Sequence, residues 1–244
     1  MNPTSVYRIE LLDGFTLRST CPSPQPVGDL PRGVQRLVAF LCLFDRPTRT
    51  AVAGQLWPEA PEGQAHASLR SALWRLRKAA PGLVDGPGDA LALAADVRVD
   101  VRELHGWAER ALDPQARVDR VSLPPPALRG DLLPGWYDDW VLLERERVRQ
   151  HRMHALEAVA ARLAAADHHG MAVQAAHLAV QAEPLRESAH RTLVRVHLAE
   201  GNVVEAVRAF QLFRQMLHDE LGVAPTEQMT RLVRGLGAGR RAAS

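Results

Sequence analysis

Of the 30 Lys and Arg residues in this 244-residue sequence one, Lys78, is lysine. That scarcity removes two classes of protein. A P-loop nucleotide site needs a lysine within G-x-x-x-x-G-K-[ST], and no such string occurs. A phosphoacceptor receiver domain needs a lysine beside an acidic pocket, whereas Lys78 lies in a basic segment. An arginine excess of this kind reflects a GC-rich genome, and the formal net charge is only +2. A nucleic-acid interface therefore has to show itself as a local cluster, not in the total. Cysteine is scarce too. Cys21 and Cys42 are too few for a disulfide framework or a metal cluster, and they read as two unrelated reduced thiols. No run of 18 apolar residues exists, so no transmembrane helix is expected. The first 30 residues lack a charged start followed by an apolar run, so the expected location is the cytoplasm, away from membranes. No G-x-S-x-G is present. His151 and His154, and the pair His168-His169, lack a further ligand at zinc-site spacing. The expectation is a protein without catalytic residues, metal or cofactor.

What is present suits two modest cores: 46% apolar and 24% charged residues over 244 positions. In VYRIELLDGFTLRS (6–19), Tyr7, Ile9 and Leu11 alternate with polar positions, and Asp13-Gly14 signals a type I′ hairpin turn. A connector with Pro22, Pro24 and Pro26 follows, then a short strand near Val27–Leu30. Val34, Leu37, Val38, Leu41 and Phe44 fall at helical spacing over 31–46. Thr48 or Thr50 can cap a second, short helix that Pro58 stops. A loop over 58–64 leads to a third helix from about Ala65 to Ala80. Apolar runs Leu83-Val84 and Ala90–Leu93 flank the turn Asp85-Gly86-Pro87-Gly88, a second hairpin. Hairpin, three helices, hairpin is the order of a winged helix with an extra N-terminal sheet.

Val101 to Leu112 reads as a helix that can pack on either side of a proline-rich linker, 113–129. The expected domains are accordingly a winged helix over 1–112 and a helical domain over 130–244. In the latter only helical periodicity appears: Trp140–Ala166, Met171–Ala182, Arg186–Glu200, Val203–Leu221 and Thr226–Leu236. GMAVQAAHLAV (170–180) resembles GNVVEAVRAFQ (201–211), with small residues Ala175/Ala206 and Ala176/Val207 where paired helices approach. That is the pattern of tetratricopeptide helical pairs. The fold class is thus mainly α: an α+β winged helix, then an all-α tetratricopeptide-like domain.

The third helix, AHASLRSALWRLRKAA, carries the chemistry. Leu69, Ala72, Leu73, Leu76 and Ala80 share one face. Arg70, Ser71, Trp74, Arg75, Arg77 and Lys78 occupy the other, and no acidic residue lies between Gly63 and Val84. A helix fits the DNA major groove, and a guanidinium grips a guanine edge bidentately. With the short helix before it, this forms a helix-turn-helix whose partner is double-stranded DNA. Trp74 fits two roles equally well, packing on the hairpin or lying against a sugar or thymine methyl. Thr48 and Arg49 suit phosphate contact at the start of helix two, or simple capping. In the loop PEAPEGQ (58–64), Glu59 and Glu62 cannot approach phosphates without cost. They suit either a basic protein surface off the duplex or an ordinary solvated turn.

LPRGVQRLVAFLCLFDRP, the LW at 56–57 and LRSALWRLRKAAPGLV together resemble the DNA-binding half of the Streptomyces antibiotic regulatory protein family. GDLLPGWYDDWVLLERERVRQHRMHALEAVA, AEPLRESAHRTLVRVHLAEGN and DELGVAPTEQM resemble its bacterial transcriptional activation domain. The resemblance spans roughly 6–235. It implies an OmpR-like winged helix, binding to direct repeats near promoters, and recruitment of RNA polymerase, often for secondary-metabolite genes. With it go Glu59 and Glu62 as candidates for meeting a σ subunit, and a homodimer is the expected form on DNA. The chain departs from the family at the wing, where Asp89-Ala90 stands in place of Gly-Tyr and the turn carries no basic residue. The alternative is a tetratricopeptide-type adaptor or ligand sensor with a degenerate winged helix. Such an adaptor does not need the basic face of helix three.

Overall fold

The computed structural model describes residues 7–20, 23, 25–86, 88–118 and 121–234. Cys21, Pro22, Pro24 and the turn residue Pro87 lie outside the described residues, as does the end of the last expected helix. The chain divides into two compact units. One runs up to His105 and takes in Pro125–Val148; the other joins Gly106–Pro124 to the chain from Arg149 onward.

The first unit opens with strands β1 (Tyr7–Glu10), β2 (Thr16–Ser19) and β3 (Gln25–Pro26). Tyr7, Ile9 and Leu17 turn inward, as the alternation predicts. The β1–β2 register runs from Tyr7↔Ser19 to Glu10↔Thr16, which leaves 11–15 as the connection. The two-residue turn expected at Asp13-Gly14 is therefore not formed, although both residues have positive φ, 64° and 134°. The loop is longer because its backbone has partners elsewhere. The Leu11 and Leu12 amides donate to Asp100 Oδ2 at 2.9 and 2.8 Å. The Leu11 carbonyl accepts from the Leu133 amide at 2.8 Å. Tight hairpin closure would leave these buried groups unmatched.

Helices α1 (Arg32–Leu43), α2 (Arg49–Leu56) and α3 (Glu62–Ala79) follow. Their apolar faces meet through Val34, Leu37, Val38 and Leu41 of α1, Val52 and Leu56 of α2, and Leu69, Leu73 and Leu76 of α3, all buried. Thr48 caps α2, its Oγ1 accepting from the Ala51 amide at 3.2 Å. α3 begins directly after Pro61, before the expected Ala65. Glu62 is thus not a loop residue but stands in the first helical turn, where a carboxylate suits the helix dipole. Strands β4 (Val84–Asp85) and β5 (Ala92–Leu93) form the antiparallel wing. A Cβ on Gly86 would sit 2.1 Å from the Ala90 carbonyl oxygen, so the wing turn closes only with glycine there. Strand β6 (Arg98–Val99), not foreseen from sequence, pairs parallel with β1 and completes a sheet of order β3-β2-β1-β6.

Helices α4 (Asp100–Leu112) and α5 (Asp139–Ala165) each begin in the first unit and end in the second. The proline-rich stretch is therefore not a free linker between a domain ending at 112 and one starting at 130. Residues 130–148 are rich in large apolar side chains, and Leu132, Leu133, Trp136, Trp140 and Val141 are buried in the first unit. Residues 106–124 belong with the second. The Trp107 indole N–H donates to the Ser122 carbonyl at 2.9 Å, and Arg162 of α5 donates to the carbonyls of Ala111, Asp113 and Ala116.

The second unit continues with α6 (His169–Ala182), α7 (Glu187–Ala199), α8 (Val203–Leu221) and α9 (Glu227–Val233). Ala175, Ala176 and Ala206 are fully buried, the small residues that let paired helices close up. Val194, Phe210, Phe213, Leu217 and Met229 form a core. Asn202 and Thr226 cap α8 and α9 through their side chains, and Gly222, at φ 68°, ends α8 in the left-handed conformation. No helix among the described residues is long and apolar enough to cross a membrane.

Candidate nucleic-acid interface

Three elements assemble the site. α1 and α2 hold the buried stripe of α3, leaving its other side outward. With about 100° between successive residues, the direction opposite Leu69, Leu73 and Leu76 is occupied by Ala67, Ser71, Trp74 and Lys78. These four make the outer ridge of α3. Arg75 forms one shoulder of the ridge; Arg70 and Arg77 form the other. All of Arg70, Ser71, Trp74, Arg75, Arg77 and Lys78 are exposed. Among the described residues no ion pair engages Arg70, Arg75, Arg77 or Lys78, and no acidic residue lies between Gly63 and Val84. The face is a concentrated positive field with no internal neutralisation.

Trp74 is 63% exposed, which removes the core-packing role considered for it. Its ring lies under the ammonium of Lys78, whose Nζ is 5.5 Å from the ring centroid. The Ser71 hydroxyl donates to the Ala67 carbonyl at 3.0 Å, so toward a ligand Ser71 acts as an acceptor.

Thr48 and Arg49 do not stand free at the start of α2. Besides capping, Thr48 pairs with Ala90 in an isolated bridge. The Arg49 amide donates to the Asp89 carbonyl at 2.9 Å, and its Nε to the Gly88 carbonyl at 3.4 Å. These bonds, with the Leu91 amide donating to the Pro47 carbonyl at 2.9 Å, tie the wing to α2. The wing carries Asp85 and Asp89, and Arg49 supplies a cation at its tip. Glu59 and Glu62 are both exposed, Glu59 in the turn before α3 and Glu62 inside it.

One part of the site was not anticipated. A cavity of about 330 Å³ runs along the Arg75 shoulder, bordered by Gly33, Trp57, Gln64, Ser68, Ser71 and Arg75. Gln64, Ser68, Ser71 and Arg75 recur at helical spacing, a signal that becomes readable only once α3 is known to start at Glu62. Ser68, Gln64 and Arg75 bring hydroxyl, amide and guanidinium donors to the cavity against the Trp57 wall, groups suited to a sugar–phosphate edge. The histidines offer no comparable constellation: among the described residues no group of three or more His, Cys, Asp or Glu is placed to hold a metal ion. His154 Nε2 instead lies 2.8 Å from an Arg186 guanidinium nitrogen. Cys42 is buried, which pushes its thiol pKa up and leaves it unreactive.

Comparison with known proteins bears on both units. The family model for the bacterial transcriptional activator domain matches residues 102–236. Regulatory protein AfsR of Streptomyces coelicolor is 29% identical over 238 residues, covering 92% of this chain and 22% of that protein. Regulatory protein AfsR of Streptomyces griseus is 29% identical over 213 residues, covering 81% of this chain and again 22% of the relative. The chain thus spans about a fifth of the length of these relatives. Among solved structures, Mycobacterium tuberculosis EmbR in complex with low affinity phosphopeptide superposes with a TM-score of 0.71 at 20% identity, over 95% of this chain and 65% of that one. At that identity the likeness is one of fold.

Proposed function

This chain belongs to the Streptomyces antibiotic regulatory protein family and carries its bacterial transcriptional activator domain, and from that premise we propose that it is an activator that binds double-stranded DNA through α3. The carrying observation is the acid-free outer face of α3, where Arg70, Arg75, Arg77 and Lys78 surround an exposed tryptophan. In this reading α3 enters the major groove, the Arg75 shoulder and its cavity border the backbone, and Thr48 and Arg49 approach phosphates beside the wing. The acidic wing stays out of the minor groove. Binding is to direct repeats, as a homodimer, upstream of genes that include those of secondary metabolism.

Salt and a single substitution test the DNA reading. Two protomers using four helix cations each give a log K against log salt slope of at most about −7 from this helix. Arg75→Ala weakens binding to the cognate duplex by about 1–3 kcal/mol if the guanidinium grips a base edge, and to random duplex by less. Equal losses on both duplexes reassign Arg75 to the backbone. A slope near zero sinks the reading in favour of an adaptor.

Recruitment of RNA polymerase is assigned to Glu59 and Glu62, whose carboxylates lie at the N-terminal end of α3 and suit a basic patch on a σ subunit. Charge reversal of both to lysine leaves promoter binding intact or slightly tighter. Transcription in vitro from the bound promoter falls several-fold. Because Glu62 opens a helix, its reversal also costs about 0.3–1 kcal/mol of stability through the helix dipole. A double variant that binds and activates like the parent places the polymerase contact elsewhere.

A further inference from the structure

We infer that Trp74 reads the 5-methyl group of a thymine, making it the residue that specifies one A·T pair in the recognition site; this rests on the DNA-binding reading above. The chain has five tryptophans. Trp107, Trp136 and Trp140 are buried, Trp57 is half-buried, and Trp74 alone is exposed, at 63%. An indole held in water gives up the apolar burial for which tryptophan is suited. Its position on the outer ridge, flanked by cations on both shoulders, suits a ligand that is apolar at its centre and anionic at its edges. The surrounding charge is entirely positive, which fits a polyanion and disfavours a cationic protein surface.

The chemistry then selects the base. On the outer ridge of a helix in the major groove, side chains reach deepest and meet base edges, while the shoulders lie nearer the backbone. An indole has no acceptor and one N–H donor, so it cannot use the paired donor and acceptor sites of adenine, or the guanine N7 and O6 pair, as a bidentate side chain does. The thymine methyl is the one apolar group in the major groove. Cytosine in its place sets an amino group against the ring and leaves it without an acceptor. Lys78, over the Trp74 ring, limits its rotation and supplies charge on the same ridge. Ala67 and Ser71, short side chains on that ridge, leave room for the indole to lie against the base.

Thymine-methyl scanning on the full chain tests this. Duplexes enriched from a random pool by the full-length protein supply the binding site. Each thymine in it is then replaced singly by deoxyuridine, which removes the methyl and nothing else. For the parent, deoxyuridine at one position weakens binding by about fourfold, the value of one buried methyl-sized group. In Trp74→Ala the same deoxyuridine costs nothing, because the partner is already gone. Trp74→Phe keeps most of the effect, and Arg70→Ala weakens thymine and deoxyuridine duplexes equally. The inference falls, with DNA binding intact, if the enriched site holds no thymine, if every deoxyuridine is tolerated, or if the penalty survives in Trp74→Ala. Without enrichment or salt-dependent retention on duplex, the DNA-binding reading itself falls and this inference with it. Trp74 then serves a protein contact.

Discussion

Trp140→Ala should cost the first unit about 3–5 kcal/mol, although Trp140 lies within the stretch matched by the activator-domain model. The side chain is 6% exposed. It meets Phe40 edge-on, with ring centroids 5.3 Å apart, and Phe44 at 6.4 Å, while those two rings stack on each other at 4.3 Å. The segment around it is fastened to α1 and to its own loop. Arg36 pairs with Asp138 at 2.5 Å, the Arg32 guanidinium lies 3.5 Å from the Trp136 ring centroid, and Arg145 donates to the carbonyls of Leu132, Leu133 and Trp136. Losing the indole opens a cavity against α1, whose other face supports α3. Hydrogen-exchange protection of the α1 amides should therefore fall, and with it, under the proposed DNA-binding role, duplex affinity, while α6–α9 keep their protection. Leu143→Ala on the same helix changes an exposed residue and should stay within about ±0.5 kcal/mol. Unchanged α1 protection in Trp140→Ala would return residues 130–148 to the helical domain.

Asp100→Ala is expected to cost about 3–5 kcal/mol, because each buried donor left without an acceptor costs ~1–3 kcal/mol. One carboxylate serves three amides: Leu11 and Leu12 on Oδ2, and Val101 on Oδ1 at 2.7 Å. It thereby joins the β1–β2 loop to the start of α4. Burial outweighs the three amides and pushes its pKa up from 3.8 to about 6. Between those values the folded chain keeps a proton that the unfolded chain releases. The associated stability is thus fully present below about pH 4 and is lost as pH rises through about 6, about 3 kcal/mol in all. Asp100→Asn removes the titration, so the stability difference between parent and Asp100→Asn isolates it. Urea unfolding across pH 4–7 should show the parent's relative stability declining with pH. A difference that grows with pH would mean that the amides, not burial, dominate the carboxyl.

Long helices were legible because their signal is local and repeats many times. α8 occupies Val203–Leu221 as its periodicity and flanking Asn202 and Gly222 indicate. α2 starts where a threonine can cap it. The cluster Arg70, Arg75, Arg77, Lys78 was visible for the same reason, since an apolar stripe at three- and four-residue spacing fixes which part of the helix surface is left outward. Two-residue strands have no such repetition. β6 exists because Arg98 and Val99 lie beside Arg8 and Ile9, some ninety positions away in sequence, and no local pattern announces a partner so distant.

The sequence by itself thus determined the class of fold, the order of winged helix and helical pairs, the family and the charge on α3. These rest on periodicity, capping chemistry and motifs, which act between near neighbours. Tertiary structure decided the rest. It sent Trp74 outward and Trp140 inward, though both are tryptophans on long helices, because only Trp140 has Phe40 and Phe44 waiting for it. It drew 130–148 into the first unit, where α1 offers an apolar face and a cation for Asp138. It lengthened the first hairpin because Asp100 claims two of the loop's amides. In each case the outcome depends on which distant group satisfies a buried ring, charge or amide. That is settled only when the chain closes on itself.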